Sequence, residues 1–323
     1  MSGRCDISGD ADRTRGDIAP DVVGALGEFG LIGRVIGRLR MAEGVVIGPG
    51  DDAAVVLAPD GRVVASTDLL VEGRHFRRDW SSGYDVGRRA AAANFADIAA
   101  MGARPTALLV GLGSPPELSV EWTDSFTDGL ADEATVVGAS VVGGDVVRSD
   151  VVIVAGTALG DLEGRAPVTR AGARIGDVVV AAGRLGWAGA GLRLLRNGVE
   201  HGDLPDALRR PVPAYPAGPA LAALGATSML DVSDGLAADL GHVASASEVR
   251  IDVDLDALRT LGTDGVTDDD LLSGGDDHTL VATVPPGLAL PDGVVVIGVV
   301  SAGAGVYVAG SRIFGGHDHF GGS

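Results

Sequence analysis

Valine-rich runs of strand length recur along the chain at 45–47, 54–57, 62–66, 107–112, 151–155, 178–182, 279–284 and 294–300. Between them, alanine- and leucine-rich stretches with helical spacing occupy 86–101, 118–137, 187–196, 216–224 and 235–246. This alternation commits the chain to a mixed α/β (α+β) fold, because strands and helices of this kind bury their apolar faces against one another. The order also restarts. Residues 21–160 hold hairpin-like strands, two helices and further strands, and residues 165–323 begin again with strand, helix, helix, strand, helix. With 323 residues the chain exceeds one small core, and two domains are expected. The reading is a disordered leader over 1–20, which carries charges but no apolar segment, an N-terminal domain over 21–163 and a C-terminal domain over 164–323. The join falls in the stretch Gly160 to Gly176, with Gly164, Pro167 and Gly172.

Charge narrows the function. The 25 basic and 44 acidic residues leave a net charge of -19, so duplex nucleic acid and anionic membrane surfaces are poor partners. Every basic side chain is arginine, since the sequence has no lysine. That absence excludes a Walker-A lysine, the strand lysine of protein kinases and a Schiff base with pyridoxal phosphate. Phosphate, if handled, is met by arginine, backbone amides and metal. The single cysteine, Cys5, cannot form an internal disulfide or a multi-cysteine metal site, and a reducing cytoplasm is expected. Charge-free stretches at 211–230 and 293–310 approach membrane-span length. Pro211, Pro213, Pro216 and Pro219 break the first and the Ser-Ala-Gly-Ala-Gly run at 301–305 breaks the second, so both read as soluble elements with turns.

The acids are not spread as a solvated coat. Gly50-Asp51-Asp52 precedes the strand at 54, Ser66-Thr67-Asp68 follows the strand at 62, and Gly143-Gly144-Asp145 is read as preceding another. Asp231-Val232-Ser233-Asp234-Gly235 lies between a strand and a helix, and Gly274-Gly275-Asp276-Asp277 precedes the strand at 279. Glycine lets backbone approach a ligand closely, and aspartate is a hard-oxygen ligand suited to magnesium. Asn94 and Asp97, at i and i+3, project from one face of the 86–101 helix. Each motif alone reads as a turn or a helix cap. If Asp52, Asp68, Asp97, Asp145, Asp231 and Asp234 converge, their repulsion demands cations, and Mg2+ bridging a polyphosphate suits such a site.

Other signals fail. Asp252-Val253-Asp254-Leu255-Asp256 opens like a calcium loop, but Ala257 and Thr263 replace its glycine and glutamate, so an edge strand with outward acids is expected. His317-Asp318-His319 lacks cysteine partners for zinc. Gly186, Gly189 and Gly191 precede a helix without a ribose-binding acid at the expected distance.

Taken in order, the motifs resemble the thiamine-monophosphate kinase family, of the superfamily that includes aminoimidazole ribonucleotide synthetase. They run from Gly27-Glu28-Phe29 through Gly50-Asp51-Asp52-Ala53, Ser66 to Phe76, Asn94 to Ala103 and Gly143-Gly144-Asp145. They continue through Thr169 to Ala173 and Asp231 to Leu236, ending with Asp318-His319-Phe320. The resemblance implies the two-domain aminoimidazole ribonucleotide synthetase-like fold and a homodimer built through N-terminal-domain strands. The N-terminal domain would then serve metal and ATP binding as well as dimerisation. The implied reaction moves the γ-phosphoryl group of ATP directly onto the phosphate of thiamine monophosphate, giving thiamine diphosphate.

Carried over by position, the family's magnesium ligands fall on Asp52, Ser66, Thr67, Asp68, Asp97, Asp145, Asp231 and Asp234. Nucleotide contacts fall on Gly144, Asp145, Arg170 and Ser233, and a substrate contact falls on His75. Asp97, Asp145 and Asp234 are the expected catalytic acids. Charge chemistry agrees: donor and acceptor are both anions, the acceptor oxygen is already ionised at neutral pH, and positioning plus electrostatics suffice. Two departures concern the acceptor. Asp276 stands where the family has a glutamate that contacts substrate, and His317 stands where an aromatic residue packs on the thiamine. A sister synthetase of the superfamily and a non-catalytic acidic magnesium- or nucleotide-binding protein are the alternatives.

Overall fold

A computed structural model describes residues 22–49 and 53–315 and, within these, all side chains except those of Glu28 and Phe29. The N-terminal half opens with helix α1 (Val23–Ile36), bent where Gly27 takes φ +67°, and a short pair of strands, β1 (Val45–Ile47) and β2 (Val55–Val56). Then follow β3 (Val64–Val71), α2 (Gly83–Ala100), β4 (Arg104–Ser114), α3 (Val120–Val137), β5 (Ser140–Arg148) and β6 (Ile153–Asp161). The larger strands form a four-stranded sheet in the order β3-β6-β4-β5. Only β4 and β5 run parallel among its pairs, as expected for strands joined through a helix.

Both helices lie on one face of this sheet. Ser82 and Asp85 form a capping box that starts α2. Its run Ala90–Ala93 and Ala96, Ala99 and Ala100 are buried, so little side chain separates it from its neighbours. Glycine completes the approach. A Cβ at Gly87 would stand 2.1 Å from the Phe126 carbonyl oxygen of α3, and one at Gly156 on β6 would stand 2.3 Å from Nδ2 of Asn94. Alanine at either place would push α2 off its seat.

The C-terminal half comprises β7 (Val178–Ala182), α4 (Trp187–Arg196), α5 (Asp203–Arg209), α6 (Ala217–Leu224), β8 (Ser228–Val232) and α7 (Leu236–Ser247). It continues with β9 (Arg250–Val253), α8 (Leu255–Arg259), α9 (Asp268–Ser273), β10 (Thr279–Val284), β11 (Val294–Ser301), β12 (Gly305–Val308) and β13 (Ser311–Ile313). Its strands form a seven-stranded sheet, β13-β12-β9-β11-β7-β10-β8. The halves share packing: α6 approaches α2 where a Cβ at Gly218 would fall 2.1 Å from the Ala99 carbonyl oxygen. Tyr215 also donates to Glu133 of α3 at 2.6 Å. Among the described residues, no helix is long and apolar enough to cross a membrane.

Several expectations shift. Ser66-Thr67-Asp68 lies inside β3 rather than after it, and Gly143-Gly144-Asp145 lies inside β5 rather than before a strand. Serine, threonine and aspartate shorten an apolar run in sequence, but ladder bonds with β6 continue through them. The 252–256 segment is not at an edge. β9 runs between β11 and β12, with Asp252 paired to Arg250 and Asp254 capping α8. Its second neighbour comes from the glycine-broken run after 301, which pairs in parallel.

Candidate active site

The acids gather where the covered face of the four-stranded sheet meets the ends of β8 and β10. Strand alternation puts Ser66 and Asp68 of β3 toward α2 and leaves Thr67 on the opposite, open face. There Thr67 Oγ1 meets Thr157 Oγ1, so its side chain is not part of the acid group. Asn94, buried in α2, uses Nδ2 to donate to the Ala90 carbonyl at 2.9 Å and Oδ1 to accept the Asp68 amide at 3.3 Å. That arrangement ties the strand to the helix. One turn on, Asp97 accepts the Ser66 hydroxyl at 2.5 Å.

Asp97 is pushed up to about 7 by burial first, then by the charges of Asp231 and Asp68, against the opposing Ser66 hydroxyl and His278. Asp68 is also raised, mainly by burial, with Asp231 adding to the effect. Asp231 enters from the C-terminal half at the end of β8, and its Oδ2 lies 2.9 Å from Nδ1 of buried His278. Acids from β3, α2 and β8 therefore lie near enough for the charge of each to act on the others.

The turn after β8 is shaped by an acid that the sequence reading passed over. One carboxylate oxygen of buried Asp239, in the first turn of α7, accepts the amides of Ser233, Asp234 and Gly235, each at 3.1 Å. Burial, with Asp231 and Asp234 nearby, pushes Asp239 up to about 7. The signal was available, since an acid one turn into a helix is placed to satisfy free amides before it. Ser233 is thereby left exposed and Asp234 half-buried.

The loop 274–278 rests on this turn. Asp276 donates its amide to the Ser233 carbonyl at 2.9 Å and His278 donates to the Val232 carbonyl at 3.0 Å. A Cβ at Gly275 would strike the Ser233 carbonyl oxygen at 2.2 Å. Asp276 and His278 both hold positive φ, +64° and +52°. Burial acts to raise Asp276, but Arg89, His278 and His75 prevail and hold it below the ordinary carboxylate range. His75, whose Nδ1 accepts the Val71 amide at 3.0 Å, is thus brought to Asp276. The following acid turns away: Asp277 accepts the Gly186 and Ala188 amides at 2.5 and 2.8 Å, filling the N-terminus of α4. That helix end, with its glycine-rich approach, is already occupied by the protein's own carboxyl group.

Other expected residues stand apart. Asp145 shares a rung with Gly111, Ala155 and Leu69 on the open face, opposite to Asp68, and about 14 Å of sheet separates β5 from β3. Gly144 precedes it on the same exposed strand. Arg170 is exposed, its carbonyl accepting from Ser247 at the far end of α7, about 18 Å of helix from Ser233. Asp52, His317 and the terminal Asp318-His319-Phe320 lie outside the described residues. Among the described residues, no three His, Cys, Asp or Glu side chains stand close enough to form a ready-made metal cage. Magnesium seldom uses one, taking a carboxylate or two and completing its shell with phosphate oxygens and water, so the donor set fits that ion.

Comparison with known proteins identifies the family of the chain. Residues 50–162 match the AIR synthase related protein, N-terminal domain, and residues 174–310 match its C-terminal domain. A thiamine-monophosphate kinase of Mycobacterium tuberculosis (strain ATCC 25618 / H37Rv) is 49% identical over 269 residues, 80% of each chain. The chain belongs to the thiamine-monophosphate kinase family. Among solved structures, the thiamine-monophosphate kinase of Stenotrophomonas maltophilia K279a aligns with a TM-score of 0.74 at 33% identity, covering 88% of this chain and 95% of that one. A structure described as AaThiL complexed with AMPPCP and TMP aligns with a TM-score of 0.74 at 31% identity, covering 91% and 97%. The two-domain aminoimidazole ribonucleotide synthetase-like fold read from the motifs is the fold of this kinase family.

Proposed function

We propose that this kinase transfers the γ-phosphoryl group of ATP to the phosphate of thiamine monophosphate by direct in-line attack, with Mg2+ held at the aspartates. The observation that carries the reading is the convergence of Asp68, Asp97 and Asp231 from both halves of the chain beside His75 and Asp276. Family membership and a 31% identical relative complexed with AMPPCP and TMP support the donor and acceptor. An oxygen of the acceptor phosphate forms the new bond to the γ-phosphorus, and the bond to the β–γ bridging oxygen breaks, releasing ADP. The acceptor oxygen is ionised already, so no strong base is required.

In this reading Asp97, Asp68, Asp231 and Asp234, with Asp52 and the Ser66 hydroxyl, hold magnesium, which when bound neutralises the phosphates. Asp239 keeps the amides of 233–235 in place, and Ser233, Gly144, Asp145 and Arg170 belong to the nucleotide side. Since Asp145 and Asp68 face opposite sides of one sheet in a single chain, we assign Asp145 a role completed in a dimer. The open sheet face fits that assignment: Leu69 and Val147 are 51% and 54% exposed beside Thr67 and Ala155. Residues 21–163 are assigned to metal, ATP and dimer contacts, residues 164–323 to the second α/β domain, and the cytoplasm is the proposed location. The test is a single-turnover assay with labelled ATP, Mg2+ and thiamine monophosphate: labelled thiamine diphosphate is expected, and its absence rejects the reading.

A further inference from the structure

Arg88 and Arg89 are neighbours on α2 with different destinations. Arg88 turns to Glu133 of α3, which also accepts Tyr215, and completes a packing network. Arg89, only 6% exposed at its side chain, sends its guanidinium out of the N-terminal half to Asp276 of the C-terminal half, with Nη2 2.9 Å from Oδ2. A buried cation needs a partner, yet this partner is itself 43% exposed. It sits in a loop where Asp276 and His278 both take positive φ, a conformation that side chains other than glycine adopt at a cost. Two contacts offset that cost: Arg89 on Asp276 and Asp231 on His278. The loop is therefore clamped at one end to the acid group and at the other to α2.

We propose that Arg89 is a positioning residue for the phosphate-accepting substrate, acting through Asp276 by fixing the 274–278 loop over the 231–235 turn. Resting on the kinase reading above, this assigns Arg89 no contact with the nucleotide. The Asp276 carboxylate is pinned by one oxygen, which leaves its exposed remainder available to the acceptor, whose cationic thiazolium a carboxylate attracts through charge. The planar guanidinium of arginine, held by its buried stem, fixes the direction of that contact, and the more flexible ammonium of a lysine would hold it less tightly.

The test is a kinetic double-mutant cycle on the full-length protein with Arg89→Met, Asp276→Asn and the pair, plus Arg89→Lys. Arg89→Met is expected to raise the KM for thiamine monophosphate roughly tenfold while kcat and the KM for ATP stay within about threefold. The double variant should be no worse than the worse single, and Arg89→Lys should recover about half of the loss on a logarithmic scale. An unchanged acceptor KM, or additive effects of the two substitutions, overturns the proposal. A merely structural ion pair would lower the melting temperature and leave the two KM values in their original ratio. Should Arg89→Met fail to fold, Arg89→Lys, Asp276→Asn and their pair form the same cycle and decide between the same outcomes. A wild-type enzyme that makes no thiamine diphosphate rejects the kinase reading itself, a result separable from any variant's behaviour.

Discussion

Nδ1 of His278 lies 2.9 Å from Oδ2 of Asp231, and both side chains are buried where the two halves of the chain meet. Burial acts to lower His278, but Asp231 and the acids Asp276 and Asp97 prevail and raise it above its ordinary value. Removing the ring would leave a buried carboxylate facing two others. His278→Ala should therefore lower stability by about 3 kcal/mol, the usual cost of breaking a buried pair. Chemical denaturation of the metal-free protein checks this, and an unchanged midpoint would show that Asp231 finds another partner.

Asp97→Asn should lower kcat by about a thousandfold while leaving the fold intact, because the amide keeps the shape but not the anionic donor. In the metal-free protein the substitution removes one of the repelling charges, so its melting temperature should equal or exceed that of wild type. Turnover at the wild-type rate in saturating Mg2+ would exclude Asp97 from the site.

Mg2+ together with AMPPCP should raise the melting temperature by roughly 5 °C at concentrations about a hundredfold above their dissociation constants, and EDTA should abolish the rise. The cause is the repulsion among Asp68, Asp97 and Asp231, which bound cations would relieve. A melting curve that ignores millimolar Mg2+ and nucleotide together would contradict the assignment.

Stability of the metal-free protein should fall as pH rises from about 5 to 8. Burial raises Asp277 to about 7, outweighing the amides of Ala188 and Gly186 that it accepts. A carboxyl raised on folding contributes stability that is full below its unfolded value near 4 and is lost as pH climbs through 7. Asp97 and Asp239 act in the same sense. Asp277→Asn should therefore flatten the slope in melting experiments across this range, whereas an unaltered slope would assign the dependence to the other two.

Asp276→Glu should lower the acceptor KM about threefold, since the added methylene carries the carboxylate roughly 1.5 Å further toward substrate. Glutamate is less at ease than aspartate at a φ of +64°, so a small loss of stability should accompany the gain. An acceptor KM equal to or above wild type would mean that the shorter side chain is not limiting.

Local pattern was enough to read most of the helices and the outer architecture. The helix read at 187–196 is α4 itself, and those read at 86–101 and 235–246 differ from α2 and α7 by three residues or fewer. Apolar periodicity and caps act over a few residues, so these elements are written where they form. The ordered acid motifs likewise named the family, and Asp68, Asp97 and Asp231 lie near enough to act on one another, with Asp276 on the loop that carries His278. Which acids meet, and which do not, was settled by pairing across long separations. The register of β3 against β6 and β4 against β5 turns Asp145 and Thr67 to the face opposite Asp68, because one residue of offset reverses a strand side chain. The same holds for Asp277, an acid adjacent to the site that instead closes a helix end 89 residues away in sequence, and for Arg89, whose partner lies on the other half. Their charges could be read from the sequence, but their partners could not, since burial and proximity arise only when the two sheets and α2 pack together.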